Sequence, residues 1–286
     1  MTSSFGMWKA RRILAIGSAT TRARKWCGMA RLFGRISGLL IAILLFAAGF
    51  GFTAWADEPF KDCGLCPEMV PIHPEPFLMG YDHGKAAERP ARMVTLARPF
   101  AIARTETTYA QWNMCVADGG CTPPRHTRGW DQPDRPVIYV DYHQVQAFID
   151  WLSAQTGRAY RLPTEEEWEF AAHGGANGPA RKRVDGMGRA NCNKCTPDWH
   201  HQTFPVASLK PNGYGLYDML GNVMEWTSSC WVEDYQSDRE ADCTRRTRRG
   251  GSWYFDRYVS TATYRYGGLM DRVSYDVGFR VATDYP

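Results

Sequence analysis

The sequence predicts an α+β fold: one compact domain with little regular secondary structure, behind an export leader. Three observations carry this. Helical periodicity with recognisable caps is confined to the stretch from Thr107 to Gly174. From Gly175 onward the periodicity is largely lost, and Gly, Asn, Asp and Trp dominate. Of nine cysteines, Cys27 lies in the leader and the other eight fall in local pairs from Cys63 onward, which suits a fold held by fasteners other than secondary structure.

The chain opens with eight basic residues (Lys9, Arg11, Arg12, Arg22, Arg24, Lys25, Arg31 and Arg35) and no Asp or Glu before Asp57. They lead into the apolar run Ile36–Phe52, then Thr53-Ala54-Trp55-Ala56. A positive region, an apolar region and small residues at Ala54 and Ala56 are the order of an export signal cut after Ala56. Met29 would start a leader of ordinary length, making residues 1–28 an upstream extension. The alternative is an uncleaved anchor over residues 36–52, near the lower length limit for a span. The chain is thus expected to be periplasmic or extracellular, touching the membrane only through an uncleaved leader.

Residues 57–76 are Pro-rich and read as an extended segment leading into the domain at residues 77–286. Met93–Ala103 alternates well enough for two strands around a Pro turn. Thr107–Val116 reads as a short helix ended by Gly119-Gly120, followed by a loop over Cys121–Pro136. Asp141 caps a helix whose Val145, Phe148, Ile149 and Leu152 share a face, and Gly157 ends it. Thr164 with Glu167 forms a capping box that opens a third helix, stopped at Gly174. Beyond it only short strand-like pieces such as Gly278–Ala282 stand out.

The export signal implies an oxidising compartment, so structural disulfides are the default for Cys63, Cys66, Cys115, Cys121, Cys192, Cys195, Cys230 and Cys243. Their connectivity stays open from sequence. The two C-x-x-C pairs could also combine into a four-thiolate zinc site or act as redox pairs. Neither sits in a strand-to-helix setting of the thioredoxin type.

The net charge of +4 misleads. With the leader's eight basic residues removed, 26 of the 34 remain against all 30 acidic residues, a balance of −4 from Asp57 onward. Nothing electrostatic favours nucleic acid as a partner. At 44% hydrophobic residues the chain can bury a core, which excludes a disordered or fibrous protein. A single apolar run excludes a polytopic membrane protein.

Four segments carry a family likeness: Phe77–Gly80 (FLMG), Arg161–Ala172 (RLPTEEEWEFAA), Pro211–Trp226 (PNGYGLYDMLGNVMEW), and Arg249–Trp253 (RGGSW) closing with Val277–Ala282 (VGFRVA). In this order and spacing they resemble the sulfatase-modifying-factor family, typified by the formylglycine-generating enzyme, over roughly residues 66–283. The resemblance implies a fold related to C-type lectins. Two carboxylates seven residues apart in a turning, Gly-containing segment also suit Ca²⁺. The family's calcium positions map onto the Asp218 and Glu225 side chains with the Gly221 and Val223 carbonyls. A second calcium site maps onto Asn191 and Asp198 with the Cys192 and His200 carbonyls.

The sequence departs from the family at its oxidase centre. Two cysteines just after the RGGS motif bind copper there, and Cu(I) requires thiolates. Here those positions are Phe255 and Ser260, so the catalytic residues are unknown. Iron-using branches of the family rely on histidines, and no His-x₃-His-x-Glu set is present. The expectation is a structural calcium protein, with iron or copper as the alternative cofactors. Its partner is a protein or peptide of the cell envelope that it modifies or helps to mature. The competing readings are a non-catalytic, calcium-stabilised module for a protein or glycan and a nonheme-metal oxidase. The run Arg245-Arg246-Thr247-Arg248-Arg249 reads as a solvated loop or as partners of nearby acids, and His200-His201 as surface histidines. Trp168, Trp226 and Trp253 read as core.

Intact mass of the exported protein should place its first residue at Asp57; a chain retaining Met29 or Trp55 would refute cleavage after Ala56.

Overall fold

The apolar run Phe100–Ala103 organises the architecture, because its alternate side chains enter two different cores. The computed structural model describes residues 57–175, 189–196, 200–236 and 241–286. Its elements run β1 (Met69–Ile72), β2 (Phe77–Met79), a 3-10 turn (Ala86–Glu88), β3 (Arg92–Val94), β4 (Phe100–Ala103), α1 (Tyr109–Ala117), α2 (Tyr142–Thr156), β5 (Tyr160–Arg161), α3 (Glu165–His173), β6 (Met224–Trp231), β7 (Asp242–Arg249), β8 (Arg265–Leu269), β9 (Val277–Gly278) and β10 (Ala282–Asp284). Residues 1–56, read above as an export leader, and Asp198 lie outside the described residues. Among the described residues no helix is long and apolar enough to cross a membrane.

Strands order as β1-β4-β10-β5 in one antiparallel sheet, so the last strand of the chain sits at its centre beside β4. Ala101 and Ala103 of β4 join the core built on α1 and α2, where Trp112 stacks on Phe148 at 5.6 Å. Phe100 and Ile102 point the other way, into a core with Phe77, Trp168 and Phe170. The period of two in a strand explains how four successive residues are all buried. The segment 57–76 is extended, and its Met69–Ile72 stretch is the sheet's edge strand, antiparallel to β4.

All three helices carry reciprocal capping boxes: Thr108 with Gln111, Asp141 with Gln144, and Thr164 with Glu167. Each box satisfies N–H groups that a helix start leaves without partners. Gly157 and Gly174 end α2 and α3 in the left-handed region.

The C-terminal half is more regular than its sequence suggests. Four strands, ordered β8-β7-β6-β9, form a second sheet, with β9 parallel to β6 and the other pairs antiparallel. The expectation of a solvated loop at Arg245–Arg249 fails: these residues lie in β7, with Arg248 at 6% and Arg249 at 0% exposure. A strand whose buried side chains are Thr and Arg shows no apolar alternation, which is why periodicity misses it. The alternative, that the arginines meet acids, holds at Arg249. It reaches Glu165 on α3 at 3.3 Å and also pairs with Glu169. Arg265 on β8 grips both Glu165 oxygens, at 2.6 and 2.7 Å.

Four disulfides close locally: Cys63–Cys66, Cys115–Cys121, Cys192–Cys195 and Cys230–Cys243. Each C-x-x-C pair closes on itself, which leaves no shared four-thiolate site. A loop of this length adds about 2–3 kcal/mol by restricting the unfolded chain.

Burial alone would raise the Glu169 carboxyl, yet the Arg249 guanidinium and the His173 ring outweigh it and hold it down to about 2. A depressed carboxyl contributes stability above its unfolded value that is lost as pH falls through its folded value. Resistance to urea should therefore fall as the pH drops from about 4.5 towards 2. Glu169→Gln should flatten that limb and cost about 3 kcal/mol at pH 7, because it leaves Arg249 under-compensated in the core.

Candidate functional site

Two neighbouring regions of the irregular half hold the residues singled out by sequence. The first is the turn Asp218–Glu225. Asp218 and Asn222 both adopt left-handed backbone, at φ 54° and 53°, which Asp and Asn tolerate best among non-glycines. Gly221 is required by close approach: a Cβ there would collide with the Asn191 carbonyl oxygen. That contact brings the two expected calcium segments together, since Asn222 N–H donates to Asn191 O at 2.8 Å.

The turn delivers Glu225 into a buried, strongly hydrogen-bonded site. Arg280 forks onto its carboxylate through Nε and Nη2, both at 2.7 Å, and Trp168 Nε1 adds a third donor at 2.7 Å. Arg280 is itself fully buried and donates onward to the Ala103 and Tyr217 carbonyls. These donors take two positions on Oε2 and one on Oε1, which leaves about one of the carboxylate's four acceptor positions for a further donor or cation. Asp218 accepts the Ala207 N–H at 2.7 Å. Burial pushes its carboxyl up to about 6, against the pull of that hydrogen bond and of Arg280.

Sequence reasoning missed Glu106, a fully buried carboxylate just ahead of α1. It accepts Asn222 Nδ2 at 2.6 Å and Val223 N–H at 3.0 Å, which fixes the middle of the turn. Burial, then Asp218 and Glu225, raises its carboxyl well above the usual range. No periodicity marks such a residue; the only sequence signal is an acid between two threonines in an apolar stretch.

The second expected calcium segment looks different. Asn191 is 1% exposed, and its Nδ2 donates to Gln202 O and Asn222 Oδ1, but its Oδ1 has no partner. A buried acceptor left open is costly unless something else fills it, and an oxygen donor suits a hard cation. Its expected companion Asp198 lies outside the described residues. Cys192 is buried in its disulfide, and His200 is exposed with its ring near Phe204. Among the described residues no three His, Cys, Asp or Glu side chains converge on one point.

The Asn191 segment also builds a groove. Asn193 N–H donates to Phe255 O at 2.7 Å, joining this segment to the loop after the RGGS motif. Around that junction opens a cavity of about 660 Å³ whose walls include Lys85, Arg128, Trp253, Phe255, Asp256 and Tyr264. Phe255 therefore stands at its wall. Ser260 lies behind, 0% exposed, with a hydroxyl that has no partner; a Cβ on Gly251 would sit 2.5 Å from it. Trp168 and Trp226 are core as expected, whereas Trp253 is buried and also lines the groove. His201, exposed as expected, lines it too. All eight described cysteines are in disulfides, and none lines the groove.

Residues 56–285 match the family model described as the sulfatase-modifying factor enzyme 1-like domain. The chain belongs to the sulfatase-modifying-factor family. It is 30% identical to the inactive C-alpha-formylglycine-generating enzyme 2 of Mus musculus over 76% of this chain and 86% of that protein. It is 34% identical to the formylglycine-generating enzyme of Thermomonospora curvata over 54% of this chain and 57% of that one. The structure of PvdO from Pseudomonas aeruginosa superposes with a TM-score of 0.69 at 33% identity, covering 80% of this chain and all of PvdO. The sulfatase-modifying-factor fold, related to C-type lectins, is thus the fold seen here, and its relatives include both active and inactive proteins.

Arg280→Gln should lower the urea-unfolding free energy by about 3–5 kcal/mol, since it strands the Glu225 carboxylate and two carbonyls in the core. Arg280→Lys should recover only part of that, because an ammonium cannot reproduce the fork.

Proposed function

We propose that this chain is an exported family member that binds a peptide or protein of the cell envelope in the groove beside Phe255. There it serves the partner's modification or maturation without a copper–thiolate centre. The observation that carries this reading is the replacement at the groove wall. A phenyl ring and a buried hydroxyl occupy the two positions where the family chemistry requires thiolates, and neither binds Cu(I). The eight described cysteines are committed to local disulfides and cannot stand in. The groove itself persists, walled by aromatic side chains and cations, in the size range of ligand sites. That combination supports binding as the retained activity.

The same replacement favours a second reading, a calcium-stabilised binding module with no turnover. In both, the open Asn191 Oδ1 supports a structural calcium ion, held with the Cys192 and His200 carbonyls and Asp198. When bound, the ion would brace the loop that carries Asn193 to the groove.

Protein from the periplasm, given a Cys-x-Pro-x-Arg peptide, should yield no aldehyde by hydrazide trapping. Elemental analysis of the same sample should find about one calcium per chain, lost in Asn191→Leu. Aldehyde formation, or stoichiometric copper or iron, would overturn the absence of an oxidase centre.

A further inference from the structure

Two cations at the groove, Lys85 and Arg128, are held by aromatic rings and by no carboxylate among the described residues. Lys85 rests its ammonium over the Tyr264 ring at 4.8 Å, and Arg128 stacks on Trp130 at 4.7 Å and Tyr275 at 5.3 Å. Neither forms an ion pair or a side-chain hydrogen bond among the described residues. Elsewhere Arg158, Arg161, Arg249, Arg265 and Arg280 each hold a carboxylate.

The charge around them is against the trend of the chain. From Asp57 onward the balance is −4, yet the groove wall carries both cations and a single carboxylate, Asp256, whose Oδ1 accepts the Tyr258 N–H. Such a wall gives the groove a locally positive potential. The cations are also held by ring faces, and Phe255 and Tyr264 extend that aromatic surface. A flat ring packs well on such walls, and a carboxylate finds two cationic donors on the same wall.

We infer that the groove selects a peptide segment in which an acidic residue adjoins an aromatic one, with the carboxylate taken by Lys85 and Arg128 and the ring packed against Phe255 and Tyr264. This rests on the groove being the binding site proposed above. A volume of about 660 Å³ accommodates about two or three residues of such a segment. An arginine-bearing Cys-x-Pro-x-Arg segment would bring a third cation to the same wall, and like charges disfavour it.

Isothermal titration of the periplasm-purified protein with acetyl-Asp-Trp-amide, its Asn-Trp counterpart and a Cys-x-Pro-x-Arg peptide tests this. The acidic probe should bind about tenfold tighter than the Asn probe, and the advantage should shrink as salt rises from 0.05 to about 0.5 M. Lys85→Gln and Arg128→Gln should each erode that advantage, and the double variant should abolish it. Phe255→Ala should weaken both Trp probes alike. Arg272→Gln, on a side chain 73% exposed and paired with Asp271, should change nothing. Equal affinity for the acid and the amide, or an undiminished preference in the double variant, overturns the inference. If the Cys-x-Pro-x-Arg peptide binds and Phe255→Ala weakens it while the acidic probe does not bind, the inference falls and the groove reading stands. If no probe binds, both fall.

Discussion

Glu165 and Glu169 leave helix α3 on its buried side and meet Arg249 and Arg265 from the second sheet, all four with almost no exposure. Removing such charges from water costs several kcal/mol per ion, and their attraction offsets this only where geometry and further hydrogen bonds are good. Here they are. Glu169 also accepts the Gly80 N–H, Thr247 Oγ1 reaches Glu165, and Arg249 donates to the Ala262 and Thr263 carbonyls. The network ties helix α3, the turn after β2 and the long sheet to one set of positions. Arg280 and Glu225 repeat the arrangement between β6 and the chain segment entering β10.

This explains how a chain with so little regular structure keeps a groove open at its surface. The loops that wall it leave rigid anchors: the Cys192–Cys195 disulfide on one side, and Arg249 with Trp168 behind the RGGS turn on the other. Local disulfides restrain loops but do not choose between folds, whereas a buried charge with one matching partner does penalise every other register. The groove inherits its shape from those registers and not from helices or strands of its own.

The family's chemistry depends on two side chains at one edge of this frame, and the frame survives their exchange. Phe255 and Ser260 alter what the groove wall can do without touching the ionic seam, because neither joins a salt bridge or the hydrogen bonds that hold Arg249. Fold and activity are thus separable here: the motifs that carry the family resemblance are mostly those that build the seam and the Asp218–Glu225 turn. The residues that set ligand chemistry, Lys85 and Arg128, lie in loops outside every motif.

Helix starts and stops were legible in sequence because each depends on side chains within three residues of the helix end, as at Thr164 and Glu167 or Asp141 and Gln144. The missing thiolates were equally legible, since residue type alone decides whether copper can bind. The long sheet was not, because a strand that buries Thr247 and Arg249 carries no alternation of apolar residues. Nor was the fate of Glu225: spacing pairs it with Asp218, but only the tertiary structure brings Arg280, 55 residues away, onto its carboxylate. The sequence by itself determined the family, the capped helices and the loss of the thiolate centre, all matters of residue identity and short range. Tertiary structure decided which charges are neutralised by partners and which, like Lys85 and Arg128, are left facing the groove, because a charge's partner is set by distance in space.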